Sequence, residues 1–231
     1  MAKKNQSGLE FIESAEALQK EIVKAEGFFK KNQNLLSYAG GAILLVVLGV
    51  IGYNYWNNTK SEEAQIAMFD SVFSFEADSL NQALKGTGGN EGLLAVADEY
   101  GSTKAGKLAN LYAGIALMKQ AKYDEAIERL QNFSSDDYVV QGKAYLLIGD
   151  AFSEKKNYAE AITYYKKAVD YNPNKFATPA YIIKLGAAYQ ANKDNKSAID
   201  AYADLIEKYP TSSESILAKK IKSKLEAEIG G

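Results

Sequence analysis

The 231-residue chain carries 27 basic and 29 acidic side chains, with no histidine and no cysteine. It therefore lacks the commonest metal ligands, the usual general base near neutral pH and the thiol nucleophile. Residues 60–231 hold 21 basic against 24 acidic groups, a net of −3, with Arg129 the one arginine, so there is no basic stripe for nucleic acid. Carboxylate or Ser/Lys chemistry stays open in principle. No Gly-rich phosphate loop or Ser-x-x-Lys set in a plausible context stands out, and the expectation is a protein that is not an enzyme and needs no cofactor.

Residues 1–31 read as an amphipathic helical segment. Phe11, Ala15, Leu18, Ile22, Ala25 and Phe29 step by 4, 3, 4, 3 and 4, a heptad seam on a helix whose other faces carry Glu and Lys. Three heptads are short for an autonomous coiled coil. Two readings follow: a partner helix, or the lipid surface of the inner leaflet.

Residues 32–59 contain no charged side chain and include the run Gly41-Ala42-Ile43-Leu44-Leu45-Val46-Val47-Leu48-Gly49-Val50-Ile51-Gly52. The 22 residues 35–56 make roughly 33 Å of helix, enough for a hydrocarbon core of about 30 Å. The expectation is a transmembrane anchor in contact with the bilayer. A buried helix of a soluble domain would have to be apolar all round in an otherwise amphipathic chain. A cleaved signal peptide fits poorly, since the run starts late and ends in Tyr53, Tyr55 and Trp56 instead of small residues. Lys24, Lys30 and Lys31 precede the span, whereas Lys60 behind it is answered by Glu62 and Glu63. That bias predicts a single pass with the N-terminus in the cytoplasm, Lys30 and Lys31 at the inner interface, and Tyr53, Tyr55 and Trp56 at the outer one. Gly41, Leu45, Gly49 and Gly52 share one face that lets another helix approach closely, although glycine is frequent in membrane helices anyway.

Residues 60–106 read as a linker helix and a degenerate first repeat. A helix is expected over 62–84, a flexible Gly-rich loop over 85–92, and the second helix of the degenerate unit over 93–100. No proline or glycine stops the anchor helix before residue 77, so it is expected to run on into this region.

Residues 107–210 repeat. Gly114, Gly149 and Gly186 are 35 and 37 apart, and so are Ala126, Ala161 and Ala198. Leu117, Phe152 and Tyr189 stand three places after each Gly, Leu130, Tyr165 and Tyr202 four after each Ala, and Pro173 and Pro210 close the last two units. This pattern resembles the tetratricopeptide repeat, a helical hairpin stabilised by stacking on its neighbours. The expected fold is all-α: an N-terminal amphipathic helix, one transmembrane helix, then a superhelix of about three clear repeats. The small residues are expected to bring paired helices together, with the neighbouring aromatics filling the space between hairpins. The extra residues of the last period fall in a loop at 174–179. Residues 211–231 read as a capping helix opened by a Thr211/Glu214 capping box, with Ile216, Leu217, Ile221 and Leu225 as its apolar stripe.

The inner face of the superhelix is the candidate groove. Leu108, Leu111, Tyr112, Ile115 and Met118 are expected there in the first unit, Lys143, Leu146, Asp150 and Glu154 in the second, and Ile183, Lys184 and Gln190 in the third. Such a lining suits an apolar segment better than a C-terminal carboxylate, which Asp150 and Glu154 would repel. The competing reading is that a neighbouring helix, 62–84 or 93–100, covers the apolar patch.

Phe28-Phe29 followed by Asn32, the Gly-rich span, and Gly52-Tyr53-Asn54-Tyr55-Trp56-Asn57 resemble the entry and exit of the membrane segment in the YfgM-like family, ancillary subunits of the Sec (SecYEG) translocon. Ala97, Tyr100, Gly106, Leu108, Leu111 and Ala126 are similar to that family's first repeat. The resemblance covers residues 28–130 and weakens beyond, where this chain has more regular repeats and more prolines. It implies a bacterial inner-membrane protein whose periplasmic repeats sit beside the channel, near a membrane-anchored periplasmic chaperone, and meet emerging exported chains. A membrane-tethered scaffold of another cell-envelope complex is the alternative.

Overall fold

The computed structural model describes residues 15–230. Among them the chain forms eleven helices and no strand. In order these are α1 (Ala15–Lys31), α2 (Gln33–Glu76), α3 (Leu80–Lys85), α4 (Leu93–Glu99), α5 (Lys104–Lys119), α6 (Tyr123–Asn132), α7 (Tyr138–Glu154), α8 (Tyr158–Asp170), α9 (Thr178–Ala191), α10 (Asn195–Lys208) and α11 (Ser213–Gly230). The chain divides into two units between Trp56 and Asn57.

In the first unit, the helical hydrogen bonds pass through Asn32. Its N–H donates to Phe28 O at 3.0 Å, its carbonyl accepts from Leu36 N at 2.9 Å, and its side-chain amide also donates to Phe28 O. Within the first unit, Ile22, Val23, Phe28 and Phe29 are exposed, as is every residue from 37 to 56.

The second unit begins inside α2. There Ala64 and Met68 enter a core with Leu93, Val96, Ala109 and Leu117. Ser61 Oγ accepts from Ala105 N at 3.2 Å, and Ser71 Oγ donates to Glu91 O at 2.7 Å. The helix expected over 62–84 is in fact two. α2 stops at Glu76 because Asp78 takes a left-handed conformation (φ 56°), and Ser79 N then bonds back to Ser74 O at 2.8 Å. This is a glycine-type C-terminal cap made by an aspartate, one of the few other residues that tolerate that conformation. In the loop over 85–92 the two ends approach closely. Gly86 sits at φ 79°, and a Cβ there would lie 2.0 Å from Asn90 O.

The three hairpins α5/α6, α7/α8 and α9/α10 share one construction. Ala121, Lys156 and Lys193 turn each hairpin with φ of 58°, 59° and 63°. The next residue then donates back to the carbonyl of Leu117, Phe152 or Tyr189 at 3.0, 2.9 and 2.9 Å. The helix starts are capped by side chains: Thr103 on α5, Asp137 on α7, Asn157 on α8 and Asp194 on α10.

The large residues pack in two directions. Leu130, Tyr165 and Tyr202 lie over the glycine of their own hairpin. A Cβ on Gly114, Gly149 or Gly186 would come within 2.6, 2.6 and 2.5 Å of them. The two helices of each hairpin meet there, and the same side chains also reach the next hairpin: Leu130 shares a layer with Leu111, Ile127, Ile148 and Phe152, and Tyr165 shares the next with Leu146, Tyr181, Leu185 and Tyr189.

Of the loop expected at 174–179, residues 174–177 lie outside helices, while Thr178 and Pro179 already belong to the first turn of α9. Asn174 Oδ1 accepts from Phe176 N and Ala177 N at 3.0 and 2.9 Å, leaving the Phe176 side chain 95% exposed. At α11 the cap is Ser212, whose Oγ accepts from Ser215 N at 3.1 Å, and not the Thr211/Glu214 pair. Ile216 and Leu217 are exposed, and the packed stripe is Ala218, Ile221 and Leu225. Ile221 and Leu225 thus face inward as expected, and Ala218 takes the place of Ile216 and Leu217.

Candidate protein-interaction surface

The groove residues separate into three groups. Leu111 and Leu146 are buried and belong to the core between hairpins. Tyr112 and Met118 are half-buried, and the Tyr112 ring meets Phe75 of α2 edge-on at 5.2 Å. The C-terminal part of α2 thus covers this end of the apolar patch, with Lys119 Nζ reaching Asp78 at 2.7 Å beside it. Leu108, Ile115, Asp150 and Glu154 remain at least partly open to solvent.

The acidic half of the surface is not a bare pair of carboxylates. Asp150 Oδ1 accepts from Tyr165 OH at 2.7 Å and from Lys184 Nζ of the next hairpin at 3.1 Å. One of the two charges is therefore answered locally, and Glu154 alone remains exposed beside it. Burial and the Asp150 carboxylate push the Tyr165 phenol well above its ordinary range. In the third hairpin Gln190 Nε2 donates to Tyr202 OH at 2.7 Å, so its side chain is directed back into the hairpin.

A cleft of about 490 Å³ escaped sequence reasoning. Lys104, Lys107 and Leu108 of α5 face Phe133, Asp136, Asp137 and Val140 across it. Its far wall is the α6–α7 connection, and nothing in the repeat spacing says where a connection folds. Among the described residues no group of three or more acidic side chains is arranged to hold a metal ion.

At the membrane segment, Gly41, Gly49 and Gly52 have open space where a Cβ would stand, and Leu45 is 70% exposed. Tyr53 and Trp56 rings approach to 6.2 Å, and Lys30 and Lys31 end α1. Among the described residues, α2 is the one helix long and apolar enough to cross a membrane. Of the heptad seam, Leu18, Ile22 and Phe29 lie on α1, and Phe11 lies outside the described residues.

Two stretches of the chain match family models, each described as a tetratricopeptide repeat: residues 112–175 and residues 182–212. The chain carries tetratricopeptide repeats. Repeats of this kind mediate contacts between proteins, and no catalytic family is indicated. A comparison with curated proteins found no match.

Proposed function

We propose that this protein is a membrane-anchored, non-enzymatic adaptor that acts as an accessory subunit of the Sec translocation channel. In this reading, residues 32–59 cross the bacterial inner membrane once, residues 1–31 lie in the cytoplasm, and the repeats stand in the periplasm. There they recruit a membrane-anchored chaperone or meet emerging chains. The observation that carries the reading is the union, in one chain, of an apolar helix with an exposed glycine face and a tetratricopeptide array. The aromatic flanks Phe28-Phe29 and Tyr53-Asn54-Tyr55-Trp56 support the channel as the site of anchorage, because they carry the family resemblance.

The test is affinity purification of the full chain in mild detergent. Channel subunits are expected to co-purify, and Gly49→Leu, which fills the open glycine face, should weaken their recovery more than Ile115→Ser on the repeats. Recovery of some other envelope assembly without channel subunits points to the tethered-scaffold alternative. Labelling that places the repeats in the cytosol refutes the channel reading.

A further inference from the structure

The part of α2 that belongs to the second unit has two apolar faces. One carries Ala64, Met68 and Ser71 into the core. The other carries Ile66, Phe69 and Phe73, which are 79%, 72% and 70% exposed. Together these three expose about 450 Å² of mostly apolar surface, within the range of the largest, often functional, patch on a soluble monomer.

The charges on that face are of one sign. Glu62, Ile66, Phe69, Phe73 and Glu76 follow each other at steps of 4, 3, 4 and 3, so an exposed carboxylate stands at each end of the stripe. Exposed Asp70 flanks it, held by the side-chain amide of Asn90 and not by a cation. Among the described residues no ion pair involves Glu62, Asp70 or Glu76.

We infer that this face of α2 is a docking site for a basic amphipathic helix of another protein, one with an apolar stripe at heptad spacing flanked by Lys or Arg. The apolar residues of the two helices interlock, and the carboxylates meet the partner's cations. The charges select this occupant against two others. A second copy, paired in parallel through the same face, sets Glu62 against Glu62 and Glu76 against Glu76. An anionic lipid surface meets the same three carboxylates. The surface is separate from the open residues of the repeats and does not depend on the channel reading.

The test uses the full chain in detergent and two synthetic 18-residue helices, both with Leu at the a and d heptad positions. One carries Lys at e and g, the other Glu. By fluorescence anisotropy the Lys helix is expected to bind, more weakly as salt is raised, and the Glu helix to bind at least tenfold less. Phe69→Ser/Phe73→Ser should weaken the Lys helix at least tenfold with helicity unchanged, since both side chains point away from the core. Glu62→Lys/Glu76→Lys should transfer the preference to the Glu helix. Equal binding of both peptides, or binding untouched by Phe69→Ser/Phe73→Ser, overturns the inference. So does self-association lost in Phe69→Ser/Phe73→Ser, or adsorption of the face to phosphatidylglycerol vesicles in preference to the Lys helix.

Discussion

The Tyr165 ring lies against the backbone of Gly149, sixteen residues earlier, so closely that a Cβ on the glycine would stand 2.6 Å from two ring carbons. Leu130 on Gly114 and Tyr202 on Gly186 repeat the contact at the same interval. The distance between the two helices of each hairpin, α5/α6, α7/α8 and α9/α10, is therefore set by one missing methyl group per hairpin.

Gly149→Ala should destabilise the protein by about 1–3 kcal/mol through overpacking, despite a gain of about 1 kcal/mol in helix propensity. In a Tyr165→Ala background the same change should stabilise, because the clash is gone and only the propensity remains. Urea denaturation of the four variants measures the coupling. An equal effect in both backgrounds excludes the steric account.

Alkaline pH should loosen the array. The phenols of Tyr165, Tyr181 and Tyr202 are all raised above the ordinary 10.0, in each case chiefly by burial. A folded-state value above the unfolded one means that the folded protein holds its protons longer. The stabilisation is complete below pH 10, and it falls as pH rises above that value. Tyr165→Phe should flatten this alkaline slope while costing about 1 kcal/mol at neutral pH for the lost bond to Asp150. Unfolding midpoints from pH 8 to 11.5, with phenolate absorbance as the second readout, check both.

At the hairpin turns, Lys156 occupies the left-handed region at φ 59° without being glycine. Lys156→Gly relieves about 1–2 kcal/mol of backbone strain against about 0.5–1 kcal/mol of added chain entropy, for a net gain of roughly 0.5–1 kcal/mol. Lys166→Gly, inside α8, should lose about 1 kcal/mol. Opposite shifts in melting temperature are the expected result, and two losses contradict it.

The loop between α3 and α4 depends on Gly86, whose φ of 79° and ψ of 175° are open essentially to glycine alone. Gly86→Ala should cost about 2 kcal/mol or more, since backbone strain adds to the approach of Asn90 O. Gly88, at φ 62° with open space around it, should cost only about 1–2 kcal/mol on the same change. Limited proteolysis across residues 86–92 separates the two, with faster cleavage expected in Gly86→Ala.

The sequence by itself determined the repeat array. The shared Gly and Ala intervals mark each hairpin without knowledge of its neighbours, whereas the seating of Leu130, Tyr165 and Tyr202 on the glycine of their own hairpin is visible only in the packed helices. The apolar run of α2 was equally legible, because a bilayer-length stretch without charge needs no knowledge of neighbours. Tertiary structure alone decided which apolar residues are shared and which are left over. Leu111 and Leu146 lie on the inner helices and so looked like groove, yet the next hairpin closes over them. Met68 and Phe69 are adjacent and both apolar, and only the position of α4 and α5 turns one inward and leaves the other in solvent. The anchor helix runs on to Glu76, close to the expected residue 77, but the break between α2 and α3 inside the helix expected over 62–84 was hidden for a related reason. An aspartate can take the left-handed conformation but does not demand it, and it does so here where the chain turns into α3. Where the determinant is a local interval, the chain can be read directly; where it is the choice between two chemically similar faces, the neighbouring helix makes the choice.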